Sequence, residues 1–434
     1  MHIVLLSGGS GKRLWPLSND IRSKQFLKLF PAADGSYQSM VQRVYQQILS
    51  VEPTADITVA TSKSQVSSLR NQLGDDLDLS VEPCRRDTFP AIALACAYLK
   101  DVKHIGVQET VAICPVDPYV DAEYFAQVRR LTELSQAGSA NLMLMGIEPT
   151  YPSAKYGYIM PDDKMDISKV SAFREKPDEA TAADYIAGGA LWNSGVFAFR
   201  LGYVLQRAQQ LLGYQDHETL YRNYADLQKI SFDYAVVEQE KDIGVLRYAG
   251  EWKDLGTWNT LTEVMREPGI GEVAMNKSCQ NVHAINELDI PLLCMGAKDM
   301  VVVASPEGIL VSDKKESSYI KPYVEAFDHQ TMVAEKSWGK FQIIDVEDES
   351  ITVKVTLNAG HAMNYHSHAH RQEVWNVVSG EGISTVEGVC TPVQAGSTIK
   401  LPQGSKHMLK AVTDMRVIEV QMGKDISKED KKKW

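Results

Sequence analysis

From residue 1 to about 265, short apolar runs alternate with amphipathic stretches. The runs "HIVLLS", "ITVATS", "VAICPV" and "NLMLMGI" read as buried strands. Between them, Met40, Val44 and Ile48 recur every four residues and mark one apolar helix face. "FPAIALACAYLKD" sets a proline in a helix's first turn and follows it with strong helix formers. Strands alternating with helices predict an α/β fold, with a mostly parallel sheet covered on both faces. Such a sheet takes its ligands beyond the carboxyl ends of its strands. From about residue 270 the pattern changes to short β runs broken by turn residues. From Trp338 to Gly423 it is almost entirely strand and turn, with glycines at close intervals, which predicts a small β-barrel or sandwich. The expected division is therefore 1–268, a β-rich connecting segment 269–330, and 331–434. The charge-rich end, "GKDISKEDKKKW", reads as a solvated tail.

Composition narrows the picture. The chain has 434 residues, 44% hydrophobic and 23% charged, enough for two or three cores. No run approaches the ~20 apolar residues of a membrane helix. "MHIVLLSGG" lacks the basic start of a signal peptide. A net charge of −11 argues against nucleic acid or a membrane surface as partner. The six cysteines are scattered without a C-x-x-C pair, which fits a reducing cytoplasm.

Gly8, Gly9 and Gly11 follow the first strand directly, and Arg13 and Lys24 come soon after. Without Cβ atoms, such a backbone approaches a ligand closely, and its N–H groups form an anion-binding concavity. The two cations suit a polyphosphate. A glycine turn beside solvated basic residues is the plainer reading of this stretch alone. The spacing matches neither a dinucleotide-binding loop nor a P-loop, since no Lys-Ser/Thr pair follows the glycines.

"GGSGKRLWPLSNDIRSKQFLKL" resembles the signature loop of the sugar-1-phosphate nucleotidyltransferases, and "KQFL" resembles their mannose-1-phosphate guanylyltransferase branch. "EPCRRDTFPAIALA", "CPVDPYV", "YGYI", "FREKPD", "WNSGVFAF", "SFDYAVVE" and "WKDLGTW" follow in that family's order, over roughly residues 1–325. The resemblance implies a Rossmann-like domain that transfers a nucleotidyl group. It assigns Leu6, Gly8, Gly9, Gly11, Glu82, Arg86 and Thr88 to the nucleotide. Gly157, Glu175, Lys176 and Asn193 fall to the sugar phosphate, with Gly157 permitting close approach of the ring. Asp117 and Asp254 match the Mg2+ ligands, and hard carboxylate oxygens suit that ion. Arg13, Lys24 and Asp117 form the implied catalytic set. Catalysis of this kind is mainly positioning and neutralisation of charge. Two positions depart from the pattern: Ser23 stands in place of proline, and Asp87 in place of asparagine.

Further on, "GHAMNYHSHAHRQEVWNVVSG" and "GSTIKLPQGSKH" carry His366, His368, Glu373 and His407. Residues two apart share a strand face, so His366 and His368 point together, where Glu373 and His407 can join them. Three imidazoles and a carboxylate suit zinc, iron, manganese or nickel. The spacing resembles both halves of the cupin signature. The domain order resembles the bifunctional mannose-1-phosphate guanylyltransferase/mannose-6-phosphate isomerase family. His366 replaces the expected glutamine, Ala411 a common asparagine, and the lysine-rich tail an acidic one. No acid/base pair for isomerisation is evident beside the ligands, so isomerisation, sugar binding and structural support all remain open for the cupin.

The expected activity is a magnesium-dependent transfer from GTP to mannose 1-phosphate, giving GDP-mannose and diphosphate. A manno-heptose 1-phosphate acceptor, a cupin isomerase for mannose 6-phosphate, and a non-catalytic sugar-nucleotide sensor are the alternatives. The connecting segment is a candidate surface for a homodimer.

Overall fold

The computed structural model describes residues 1–9, 12–19, 21–327, 331–424, 426–427 and 430–434. The chain gathers into two compact units. One holds Met1–Gly9, Lys28–Val66 and Asp76–Leu255; the other holds Ser10–Leu27, Ser67–Asp75 and Gly256–Trp434.

The first unit is built on a nine-stranded sheet. Asp78–Glu82, Asp56–Ser62, His2–Ser7 and Thr110–Pro115 lie side by side and parallel, as the alternation of strands and helices predicts. Their apolar runs are buried because helices cover them. Met40–Val51 turns Met40, Val44 and Ile48 inward, and Thr88–Asp101 buries most of its length. Beyond Thr110–Pro115, Leu191–Arg200 enters antiparallel, followed by Leu142–Ile147, Ile243–Tyr248, Ile167–Glu175 and Gly157–Pro161. The chain leaves His2–Ser7 toward Asp56–Ser62 on one side and returns with Thr110–Pro115 on the other. That reversal of direction opens a crevice at the carboxyl ends of these strands.

The second unit begins with short parallel rungs: Gly269–Ile270, His283–Asn286 and Met300–Ser305 in one ladder, Val273–Met275 and Leu292–Cys294 in another. Two antiparallel sheets follow, of six and five strands. They enclose a core of Trp375, Leu357, Leu409, Ala411 and Met415. Residues 12–19 and 21–27 fold within this unit. Asn19 Oδ1 accepts from the N–H groups of Ile21 and Arg22, while its Nδ2 donates to Glu307 and to Val333 O. Arg22 lays a two-pronged guanidinium on Glu287 at 2.8 and 2.7 Å.

The end of the chain is exposed, as expected of a solvated tail, but it is also ordered into a strand. Lys431–Lys433 forms a strand paired with His366–His368. Asp430 accepts from the N–H groups of Ala369 and His370. Trp434 donates from Nε1 to Ser367 Oγ, and the ammonium groups of Lys406 and Lys432 lie 3.6 and 4.1 Å from its ring centroid. A free sheet edge and two cation–π contacts hold the segment while its three lysines stay exposed.

Candidate active site and cupin metal centre

A cavity of about 350 Å³ opens beyond the carboxyl ends of His2–Ser7 and Thr110–Pro115. Leu6, Gly8, Gly9, Glu82, Thr88 and Asp117 all line it. Gly9 has φ +103°, a conformation that a side chain resists, and a Cβ at Gly8 or Gly9 would meet only open space. The carbonyl of Gly9 accepts from Gln65 Nε2 at 3.3 Å and from Arg85 Nη2 at 3.4 Å, which fixes the course of the loop.

Arg85, rather than the expected Arg86, joins the lining; Arg86 donates to the carbonyl of Ala225. Adjacent residues on an extended segment point apart, so one basic residue of the pair faces the cavity. Asp87 also lines it, holds φ 70°, and caps the helix by accepting from the N–H of Thr88 at 2.8 Å. Burial raises the pKa of the Glu82 carboxyl, although Tyr224 OH donates to it at 3.0 Å. The carboxylates of Glu82, Asp87 and Asp117 and the cations of Arg85 and Lys229 thus share the lining. Sequence reading missed Lys229, which comes from a loop with no motif of its own.

Asp254 comes from far along the chain. Trp252–Asp254 pairs antiparallel with Pro118–Val120, and the register sets Asp254 opposite Pro118, one residue from Asp117. The backbone of Asp254 thereby lies near that of Asp117, and carboxylate oxygens are the donor type that suits a hard divalent cation. Arg13 is exposed on the turn Lys12–Leu14, and Lys24 is half-buried at the start of Lys24–Phe26, both in the second unit. Gly11 lies outside the described residues.

Gly157, Glu175 and Asn193 sit on neighbouring strands, with Lys176 just beyond the end of the Glu175 strand. Gly157 is directly opposite Glu175, and a Cβ there would stand 2.5 Å from Glu175 Oε2 and 2.8 Å from the ring of Phe173. The glycine therefore makes room for the protein's own carboxylate. Glu175 is only 6% exposed, pairs with the ammonium of Lys176, and so is more than a surface ion-pair partner. Asn193 donates from Nδ2 to Asp233 Oδ1 at 2.7 Å. Tyr156, Trp192 and Trp252 pack ring on ring with centroids 4.9 to 6.2 Å apart. They join the Asn193 strand to the Asp254 strand. No periodicity in the sequence marks them as a group.

In the C-terminal sheets, His366, His368 and His407 bring one ring nitrogen each to within 4.8 Å of the others. His366 Nδ1 bonds Asn364 O at 2.6 Å and His407 Nδ1 bonds Ser405 O at 3.0 Å, which leaves both Nε2 lone pairs for a ligand. His407 Nε2 is buried without a hydrogen-bond partner, as metal coordination requires. Burial pushes His366 down to about 3 and His368 down to about 4, so both imidazoles are neutral at pH 7. Glu373 Oε1 is 3.2 Å from His368 Nε2, and its Oε2 accepts from Trp375 Nε1 at 3.1 Å. Arg371 donates to both Glu373 and His368, and so shares the centre with any metal held there. These residues fit a divalent transition metal.

Beside this centre lies a cavity of about 550 Å³, lined among others by His366, His368, Arg371, Glu419 and Lys431. Burial and the charge of Glu373 push the Glu419 carboxyl up, while burial pushes Lys431 down to about 8. The carboxyl and amine that the sequence did not reveal as a pair stand in one cavity, delivered by the strand Met415–Met422 and by the chain end. His361 and His370 stay outside the histidine group.

The parallel strands, the glycine loop at their carboxyl ends and the cavity beyond them have the form of a nucleotide-binding α/β enzyme. Residues 2–268 match the family model described as "Nucleotidyl transferase". The chain belongs to the nucleotidyl transferase family. Residues 324–433 match the family model described as "Mannose-6-phosphate isomerase C-terminal". Among relatives, "Xanthan biosynthesis protein XanB" of Xanthomonas campestris pv. campestris (strain ATCC 33913) is 30% identical, covering 98% of this chain and 96% of its own. "Mannose-1-phosphate guanylyltransferase" of Escherichia coli K12 is 28% identical, covering 99% and 97%. The crystal structure of "mannose-1-phosphate geranyltransferase" from Thermus thermophilus superposes with a TM-score of 0.61 at 28% identity. It covers 75% of this chain and 98% of that one.

Proposed function

We propose that the protein is a mannose-1-phosphate guanylyltransferase, converting GTP and α-D-mannose 1-phosphate to GDP-mannose and diphosphate. One observation carries this reading: a single cavity gathers Gly8, Gly9, Glu82, Thr88 and Asp117. The names of full-length relatives support the choice of guanine and mannose.

A phosphate oxygen of the sugar 1-phosphate attacks the α-phosphorus. The new O–P bond forms as the bond to the β-phosphate's bridging oxygen breaks, and diphosphate leaves. The attacking phosphate is already ionised, so no general base is needed, and positioning and charge neutralisation supply the rate. Asp117 and Asp254 would hold Mg2+, which on binding offsets charge on the phosphates. Gly8 and Gly9 offer open backbone to the nucleotide, and Glu82, Asp87 and Thr88 offer acceptors to its donor groups. Arg13 meets charge at the α-phosphate, Lys24 that of the departing diphosphate, and Lys176 the sugar's phosphate. Glu175 and Asn193 hold sugar hydroxyls. Free thiols at all six cysteines suit a reducing cytoplasm. No helix among the described residues is long and apolar enough to cross a membrane.

The deciding assay is magnesium-dependent diphosphate release across four nucleoside triphosphates, each with mannose, glucose and manno-heptose 1-phosphates. GTP with mannose 1-phosphate is expected to give the largest kcat/KM. Silence with that pair would sink the proposal.

A second reading is favoured by the placement of Glu419 and Lys431 beside His366 and His368. That arrangement supplies an acid/base pair near a metal, as interconversion of mannose 6-phosphate and fructose 6-phosphate needs. His366, His368, Glu373 and His407 would hold the metal, for which Zn2+ is our choice. The full chain is expected to keep about one divalent transition metal per chain, and His407→Ala to lose most of it. Elemental analysis after gel filtration checks this, and an undiminished metal content in the variant would count against the site.

A further inference from the structure

The carboxylate of Asp233 stands apart from every role assigned so far. It sits on the short helix Phe232–Ala235. That helix is rigidly seated: Phe232 is fully buried, with its ring centroid 4.8 Å from that of Phe197 and 6.2 Å from that of Phe89. The N–H of Phe232 donates to Thr88 Oγ1 at 2.8 Å, and Ser231 Oγ caps the turn by accepting from the N–H of Tyr234. A side chain carried on such a base is held in place before any ligand arrives.

Asp233 Oδ1 accepts from Asn193 Nδ2 at 2.7 Å, which in turn fixes the Asn193 amide so that its Oδ1 accepts from the N–H of Gly195. Asp233 Oδ2 has no partner in another residue among the described residues. Glu175 and Lys176, on the strand facing it and just beyond that strand's end, are the charged side chains acting on it. Burial, and then the charge of Glu175, push its carboxyl up to about 7, against the opposing pulls of Lys176 and Asn193. A half-buried carboxylate beside a second carboxylate is costly to the fold unless a donor comes to it. Sugar hydroxyls are such donors.

We propose that Asp233 is a specificity-determining residue of the sugar-phosphate pocket, with Oδ2 accepting a hydrogen bond from a hydroxyl of the hexose while Oδ1 holds the amide of Asn193. The inference rests on the assignment of Glu175, Lys176 and Asn193 to the sugar phosphate. With Glu175 it gives the pocket two acceptors fixed on separate elements. Two fixed acceptors can tell epimers apart, because an inverted hydroxyl leaves one of them unpaired.

The test uses the full chain and initial rates of diphosphate release at saturating GTP and Mg2+, with mannose 1-phosphate varied between pH 6 and 8. An ionised acceptor with a pKa near 7 predicts that the wild-type KM for mannose 1-phosphate rises about ten-fold from pH 8 to pH 6. The sugar phosphate's own second ionisation, near 6, adds a further factor of about two, for about twenty-fold in all. Asp233→Asn removes the free acceptor. It is expected to raise that KM about ten-fold or more at pH 8, with the KM for GTP unchanged and the pH dependence reduced to the residual two-fold. A variant with the wild-type KM and pH profile would overturn the inference. So would a wild-type KM that changes no more than two-fold across this range, a result that needs no variant. A wild-type chain silent with GTP and mannose 1-phosphate would instead overturn the proposed function, and this inference with it.

Discussion

Asp117→Asn is expected to lower diphosphate release by about 10²–10³-fold while the protein stays folded. The substitution is isosteric and removes one negative charge and one hard oxygen ligand. Asp117 is half-buried just past the end of Thr110–Pro115 and lines the cavity, so the strand beneath it keeps its packing. Raising magnesium should recover only part of the rate, because the ion loses a ligand and its placement together. Asp254→Asn should fall by a similar factor, and the double variant by little more than either alone, since both act through one ion. Steady-state rates across a magnesium titration, with circular dichroism to confirm folding, measure this. A wild-type rate in Asp117→Asn would remove it from the catalytic set.

Trp375→Ala is expected to lower stability by about 3–5 kcal/mol, the range for deleting a fully buried large aromatic side chain. Trp375 is 1% exposed at the centre of the C-terminal core. Its ring centroid lies 5.2 Å from that of His407, and Nε1 donates to Glu373 Oε2. The substitution therefore opens a cavity and also removes a donor from a buried carboxylate. Bound metal should fall along with stability. Trp375→Phe keeps most of the volume and is expected to cost about 1–3 kcal/mol through the lost hydrogen bond. Thermal unfolding of the full chain, with and without a chelator, separates the two contributions. A melting temperature unchanged in Trp375→Ala would contradict the packing described.

Much of the first unit was legible along the chain. "HIVLLS" and "ITVATS" lie in strands of the large sheet, and "VAICPV" and "NLMLMGI" lie in them but for one end residue each, because strands buried on both faces must be apolar throughout. Gly9 was legible because its positive φ excludes other residues. His366 and His368 were legible as a pair because alternation on a strand is a local rule, and the structure sets both beside His407.

Other features depended on distant segments. Arg85 and Arg86 are chemically alike, and only the fold decided which one faces the cavity. The tail lysines read as solvated and are exposed, yet an open edge beside His366–His368 drew their backbone into the sheet. Glu419 and Lys431 carry no spacing signal, since one comes from a mid-barrel strand and the other from the chain end. Asp233 belongs to a run that matched the family without revealing a role, and its neighbours Asn193 and Glu175 lie 40 and 58 residues earlier in the chain.

By itself the sequence determined the strand and helix pattern, the glycine loop, and which side chains had suitable chemistry. Those depend on neighbours a few residues apart, where periodicity and steric rules act. The tertiary structure alone decided which carboxylates stand together and which are held near a neutral state. Strand register and burial join residues far apart in the chain, and the desolvation that shifts a pKa exists only once those segments have packed.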